Sequence, residues 1–172
     1  MHLYRLNKAN GENAQVSFYF PLNEWVVSSK NVSIFVKDPN DIKLYKGERY
    51  GFAILIAEAW FKLLADLSKE QIEGLKKDMH GRTLVGEYCG NPDFQHLVKY
   101  AHTTIYFYAV VENTSQYSCI PPPEAYNFFE RYRLPIVKGH DRSYIGAFTE
   151  FREVGAKLIE VFREVSTASI FE

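Results

Sequence analysis

A lysine, a glutamate and a run of aromatic residues are the side chains whose types and spacing could do chemistry. The lysine stands in Lys8-Ala9-Asn10-Gly11-Glu12-Asn13, directly ahead of a stretch of alternating apolar and polar residues. A nucleophilic lysine needs a lowered pKa, a rigid seat and open approach to an electrophile. Gly11 would permit a tight turn and let the backbone lie close to a ligand. Asn10 and Asn13 add neutral hydrogen-bonding groups. An exposed lysine in a polar turn accounts for the same residues, because Asn-Gly is a common turn signal.

The glutamate is in Gly86-Glu87-Tyr88. A carboxylate on a strand, between a small residue and an aromatic one, can accept hydrogen bonds from ribose hydroxyls. An ordinary solvated glutamate on a strand face is the plainer reading. The aromatic run is Ile105-Tyr106-Phe107-Tyr108-Ala109-Val110-Val111. It offers flat rings that could stack on a base, although aromatic strands commonly fill a core. Ser28-Ser29-Lys30-Asn31 could hold phosphate or a sugar, or could simply be a polar hairpin turn. His80, His96, His102 and His140 form no recognisable metal pattern, and no metal-ligating residue is assigned. No glycine loop of the Walker type and no Gly-x-Ser-x-Gly elbow occurs.

The elements that must position these residues follow from periodicity. Val16, Phe18 and Phe20 alternate with polar residues, which predicts a strand over 14–20. Trp25–Ser29 and Val32–Val36 read as two more strands, and Asp38–Asp41 as a loop. Ile54, Ala57, Phe61 and Leu64 recur at helical spacing, so 50–66 is predicted as a helix. Ser68-Lys69-Glu70-Gln71 is a capping-box pattern for a second helix reaching about Met79. Arg82–Cys89 and Thr103–Val111 read as strands. Ile120–Pro123 is a stiff connector, Glu124–Arg133 a helix and Leu134–Val137 a short strand. Tyr144–Val165 carries the apolar stripe of an amphipathic helix, and Ser169–Glu172 resembles the start of a strand. Strands in runs with helices between them indicate an α+β class.

The chain has 172 residues, a length suited to one domain. Hydrophobic residues make up 47% and charged residues 24%, which excludes a wholly disordered chain. The formal net charge is −1, so bulk charge alone would not hold nucleic acid, while a local basic patch still could. Cys89 and Cys119 are too few for a disulfide framework or a zinc site and read as reduced thiols. The most apolar stretch, Phe52–Leu67, is broken by Glu58, Lys62 and Asp66. It falls short of the roughly 18 apolar residues of a membrane helix. Met1-His2-Leu3-Tyr4-Arg5 lacks the apolar core of a signal peptide. An intracellular protein of the cytoplasm, nucleus or an organelle matrix, with no membrane partner, is expected.

Order and spacing bring these signals together. Lys8-Ala9-Asn10-Gly11 resembles motif I, Lys-x-x-Gly, of the covalent nucleotidyltransferases, which include ATP-dependent ligases and mRNA capping enzymes. Gly86-Glu87-Tyr88-Cys89-Gly90 resembles their motif III, and Ile105–Glu112 their aromatic motif IIIa. Trp25–Asn31 is similar to the segment after motif I in RNA ligases. Motif III follows motif I by roughly eighty residues, and motif IIIa follows about twenty further on, as in that superfamily. DNA ligases and capping enzymes usually carry Arg where Asn13 stands and Asp where Asn10 stands. The Lys-x-Asn-Gly form with Ser-Lys-Asn downstream is most similar to RNA ligases, including tRNA-ligase-like adenylyltransferase domains. The resemblance covers about residues 5–172.

The resemblance implies an antiparallel-sheet-rich nucleotidyltransferase core, ATP-grasp-like, with surrounding helices. Its motif IV and motif V strands would follow Glu172, so residues 1–172 are expected to form a partial domain, incomplete at the C-terminus. An N-terminal strand segment is expected to be short or missing. The implied substrates are ATP, with Mg²⁺, and RNA bearing 5′-phosphate and 3′-hydroxyl ends. Lys8 would be the nucleophile, and Glu87 would accept from the ribose hydroxyls. Phe107 would stack on adenine, with Tyr106 and Tyr108 on the opposite strand face. Asn10 and Gly11 would line the ribose and phosphates, and Lys30 would reach the phosphates or the RNA end. Other readings stay open: a nucleotide- or RNA-binding remnant without catalysis, a relative of the capping guanylyltransferases, and a protein-interaction domain in which Lys8–Gly11 is an accidental turn.

Overall fold

The computed structural model describes residues 1–6, 9–91, 98–116, 118–136 and 143–168. Lys8 and the expected strand over 169–172 lie outside them. The chain divides into two compact units, Met1–Asn7 with His140–Glu172, and Lys8–Gly139. The class is α+β, with antiparallel sheets and four α-helices among the described residues.

The first unit pairs strand β1 (His2–Arg5) with a strand later in the chain, Ser143–Ala147, in antiparallel register. Strand β1 is four residues long. The helix predicted over 144–165 is corrected here. Its first residues are that second strand, and the helix runs Phe151–Ala168. Pairing with β1 supplies the hydrogen bonds that Tyr144–Ala147 would otherwise make along a helix axis. The helix starts where the Glu153 carboxylate accepts from the backbone N–H groups of Thr149 and Glu150, both at 3.1 Å. Those two bonds hold its carboxyl below the usual carboxylate range.

The larger unit is a six-stranded sheet. In chain order it uses β2 (Glu12–Tyr19), β3 (Glu24–Ser28), β4 (Ser33–Val36), β5 (Arg82–Cys89), β6 (Thr104–Glu112) and β7 (Ser118–Cys119). The spatial order is β4-β3-β2-β5-β6-β7, with every neighbouring pair antiparallel. Ala14, Val16 and Phe18 of β2 are buried and alternate with Asn13, Gln15 and Ser17 on the other face. β2 begins two residues before the predicted start, which brings Asn13 into the ladder.

Helix α1 (Gly51–Ala65) buries Ala53, Ile56, Ala57, Trp60 and Leu64 against the apolar face of the sheet. Trp60 meets Trp25 edge-on at 5.0 Å and Phe107 at 6.1 Å. Helix α2 (Lys69–Asp78) opens with the expected capping box. The Ser68 hydroxyl accepts from the Gln71 N–H, and the Gln71 side chain accepts from the Ser68 N–H. Helix α3 (Pro122–Arg131) starts inside the predicted connector, because proline suits the first turn of a helix, where its missing N–H costs nothing. Of the short strand predicted over Leu134–Val137, the described residues 134–136 form one bridge, Ile136 to Phe107, beside a 2.8 Å bond from the Phe107 N–H to the Pro135 carbonyl, and Val137 lies outside the described residues. Left-handed Arg133 (φ 51°) turns the chain onto that edge.

One polar cluster ties α2 to the end of α3. The Tyr132 hydroxyl donates to Asp78 Oδ2 at 2.7 Å, and Arg131 meets the same oxygen at 3.0 Å. Burial, with the Asp78 hydrogen bond and charge adding to it, pushes the Tyr132 phenol up to about 12. A raised phenol pKa favours the folded state while the phenol is protonated. That contribution is complete below about pH 10 and disappears as pH rises through about 12. Tyr132→Phe is expected to lower unfolding free energy at neutral pH by about 1.5–3 kcal/mol, the usual worth of a hydrogen bond to a charged group. Urea titration checks it, and an unchanged midpoint would contradict the role of this bond.

Candidate functional site

The two faces of the sheet differ in chemistry, and β5 decides which residues meet on each. β5 pairs with β2 through Glu12↔Tyr88, Asn13↔Glu87 and Ala14↔Gly86, and with β6 through Gly86↔Phe107 and Glu87↔Tyr106. Residues directly opposite one another project to the same face. Glu87 therefore shares its face with Asn13 and Tyr106, whereas Phe107 lies on the face covered by α1 and α3.

This corrects the expectation for Phe107. Its ring is fully buried, stacked on Phe129 at 5.6 Å and in edge contact with Trp60. It is a core side chain, with no ring face open to a base. The cause is a register shift between Val85 and Gly86, where β6 carries one extra residue, Tyr108. Counting back from buried Val110 by strict alternation would put Tyr106 in the core and Phe107 opposite Glu87. The bulge inverts that order. Tyr106 is the aromatic residue that stands beside the carboxylate.

The Glu87-bearing face carries a set of paired polar side chains. Ser17 and Thr83 hydroxyls bond at 2.7 Å, Thr83 donates to Asn113 at 3.1 Å, Gln15 donates to Asn13 at 3.0 Å, and Ser28 and Ser33 bond at 2.7 Å. Within it Glu87 is only 6% exposed, the one charged residue among the buried side chains described. The reading of Glu87 as a solvated surface glutamate is set aside by that burial. Its neighbour on the same face, Cys89, is also buried.

Asn10 and Gly11 reach this place from the start of β2. A methyl group on Gly11 would collide with the Tyr88 carbonyl and come within 2.6 Å of Cys89 Sγ. Glycine is needed there for close approach between the two backbones. The Asn10 N–H donates to the Tyr100 hydroxyl at 2.8 Å. The Tyr100 ring lies 5.3 Å from that of Tyr106, tilted by 35°. Burial raises the Tyr100 phenol, the Asn10 N–H opposes the rise, and Cys89 adds to it. Burial, with Cys89, raises Tyr106 as well. Both phenols are neutral hydrogen-bonding groups at physiological pH.

Of the sequence-derived residues, Gly11 packs against Tyr88 and Cys89, the two residues that follow Glu87 on β5, and Asn10 is held by Tyr100. Lys30 is exposed in the hairpin that joins β3 to β4, closed by a 2.9 Å bond from the Ser29 N–H to the Val32 carbonyl. Ser28 pairs with Gln15, which places this hairpin at the same end of the sheet as Glu87, two strands or about 10 Å away. Tyr100, Tyr106 and Cys89 join the site without having been singled out. The aromatic run pointed to Tyr106, but only the bulge selects it. Tyr100 follows a segment with no periodic signal.

Such a surface can accept hydroxyl hydrogen bonds at a buried carboxylate and present a ring to a base. No protein-family model and no curated protein matches the chain.

Two substitutions test the assignment of faces. Phe107→Ala is expected to cost about 3–5 kcal/mol of stability, as for any large aromatic removed from a packed core. Gly11→Ala is expected to cost about 1–3 kcal/mol through overpacking against β5. Thermal or denaturant unfolding measures both. A Phe107→Ala variant as stable as wild type would overturn the placement of that ring.

Proposed function

We propose that the chain is an ATP-dependent RNA-ligase-type adenylyltransferase, with Lys8 as the nucleophile. The observation that carries this reading is the seating of Gly11 against Tyr88 and Cys89 of β5, the residues that follow the buried Glu87, with Tyr106 directly opposite that glutamate. The segment next to the lysine, the glutamate and an aromatic ring would otherwise be unrelated stretches of sequence.

In this reading Lys8 attacks the α-phosphorus of ATP. The new N–P bond forms as the bond to the bridging oxygen breaks, and pyrophosphate leaves with the electron pair. The lysine must surrender a proton first, because a free ammonium titrates near 10.4. Desolvation at the site would assist that loss. A 5′-phosphate oxygen of RNA then displaces the lysine and takes the AMP. A 3′-hydroxyl attacks the activated 5′-phosphate, seals the strand and releases AMP. Mg²⁺ held by the triphosphate would offset its charge and orient the pyrophosphate for departure.

Glu87 serves this sequence by accepting from the ribose hydroxyls. Its burial keeps competing water away, so a hydrogen bond made there counts for more than one at the surface. Tyr106 takes the stacking role that Phe107 cannot fill. Asn10 offers its side chain to ribose or phosphate, and Lys30 stands at the same sheet end as a cation for phosphate.

The test is incubation with ATP labelled at the α-phosphate and Mg²⁺, followed by denaturing electrophoresis. Wild type is expected to retain label, Lys8→Ala to retain none, and Glu87→Gln to label roughly 10- to 100-fold more slowly, the cost of weakening hydrogen bonds to a charged acceptor. Label on Lys8→Ala equal to wild type would remove the nucleophile assignment. ATP binding with no covalent label would favour a non-catalytic nucleotide-binding domain, and label from GTP in preference to ATP a capping-type activity.

A further inference from the structure

The connection from β5 to β6 is tied at its neck. Gly90 adopts φ +83°, and a methyl group there would collide with the His102 carbonyl. The Thr103 hydroxyl donates to the Gly90 carbonyl at 2.7 Å. Two strand ends held this closely give the residues just before Thr103 a defined seat. Tyr100 occupies it, half-buried, its ring against Tyr106 and its hydroxyl on the Asn10 N–H.

That hydrogen bond joins residues ninety positions apart, and Asn10 is the second residue after Lys8. Gly11 is already fixed from one side by the Tyr88 carbonyl and Cys89. Tyr100 adds a hydrogen bond at the preceding residue, Asn10. A backbone N–H anchored to a packed side chain has less freedom than one bonded to water. For a nucleophile, a misplacement of about 1 Å can cost about 100-fold in rate.

Resting on the adenylyltransferase reading, we infer that Tyr100 is a positioning residue that anchors Asn10, two residues after the proposed nucleophile, for nucleotidyl transfer. It acts on the covalent step rather than on ATP affinity. The hydroxyl carries the role and the ring carries the packing, so the two separate in Tyr100→Phe.

The experiment compares wild type and Tyr100→Phe in single-turnover labelling with α-labelled ATP over a range of ATP concentrations. The expected result is a maximal rate reduced roughly tenfold or more, with the half-saturating ATP concentration changed less than about twofold. A Tyr100→Phe chain that labels at the wild-type rate overturns the inference and leaves the adenylyltransferase reading standing. A wild type that takes no label overturns that reading, and the inference with it. A second measurement needs no variant. Hydrogen exchange of the Asn10 amide in wild type is expected to be slowed by its bond to Tyr100. Exchange at the free-chain rate overturns the inference even if Tyr100→Phe should fail to fold.

Discussion

The bulge at Tyr108 is the constraint on which the rest depends. β5 is hydrogen-bonded on both sides, so its face assignments are fixed by β2 and β6 together. One extra residue in β6 lets Val110 and Phe107 both point into the core while Tyr106 points out beside Glu87. A one-residue slip in a ladder sends side chains to the opposite face. Without the bulge, a large aromatic would leave the core, and the carboxylate would face a different ring.

From this the two faces acquire separate tasks. The apolar face holds Trp25, Trp60, Phe107 and Phe129 in a chain of ring contacts that binds α1 and α3 to the sheet. On the opposite face hydroxyls and amides bond to one another, and one carboxylate, Glu87, is buried. Burying a charge is costly, and proteins retain such groups mainly where structure or function uses them. The Asn10–Gly11 segment completes that face because glycine alone fits against Tyr88, and because Tyr100 reaches back from a distant connection to hold it.

Much of this was legible in the residues. Alternation in β2, the capping box of α2 and the strand character of 82–89 correspond directly to local physical rules. Gly11 was expected to bring the backbone close to a ligand, whereas the group it approaches is the backbone of β5. The misplaced ring was not legible, because a bulge is a tertiary compromise between two strands and leaves no mark in a run such as Tyr-Phe-Tyr-Ala. The strand at Ser143–Ala147 was missed for a related reason. Its apolar residues suit a helical stripe equally well, and only the distant partner His2–Arg5 settles the choice. Tyr100 shows the same limit, since a hydrogen bond across ninety residues has no periodic signature.

The most direct measurement is a crystal structure of the protein with AMP or a non-reactive ATP analogue. The expected density places the ribose within hydrogen-bond distance of Glu87 and the base against Tyr106, with Phe107 still packed on Phe129. A nucleotide bound away from the Glu87 face, or one stacked on Phe107, would refute the proposal that this polar face is the adenylyl site.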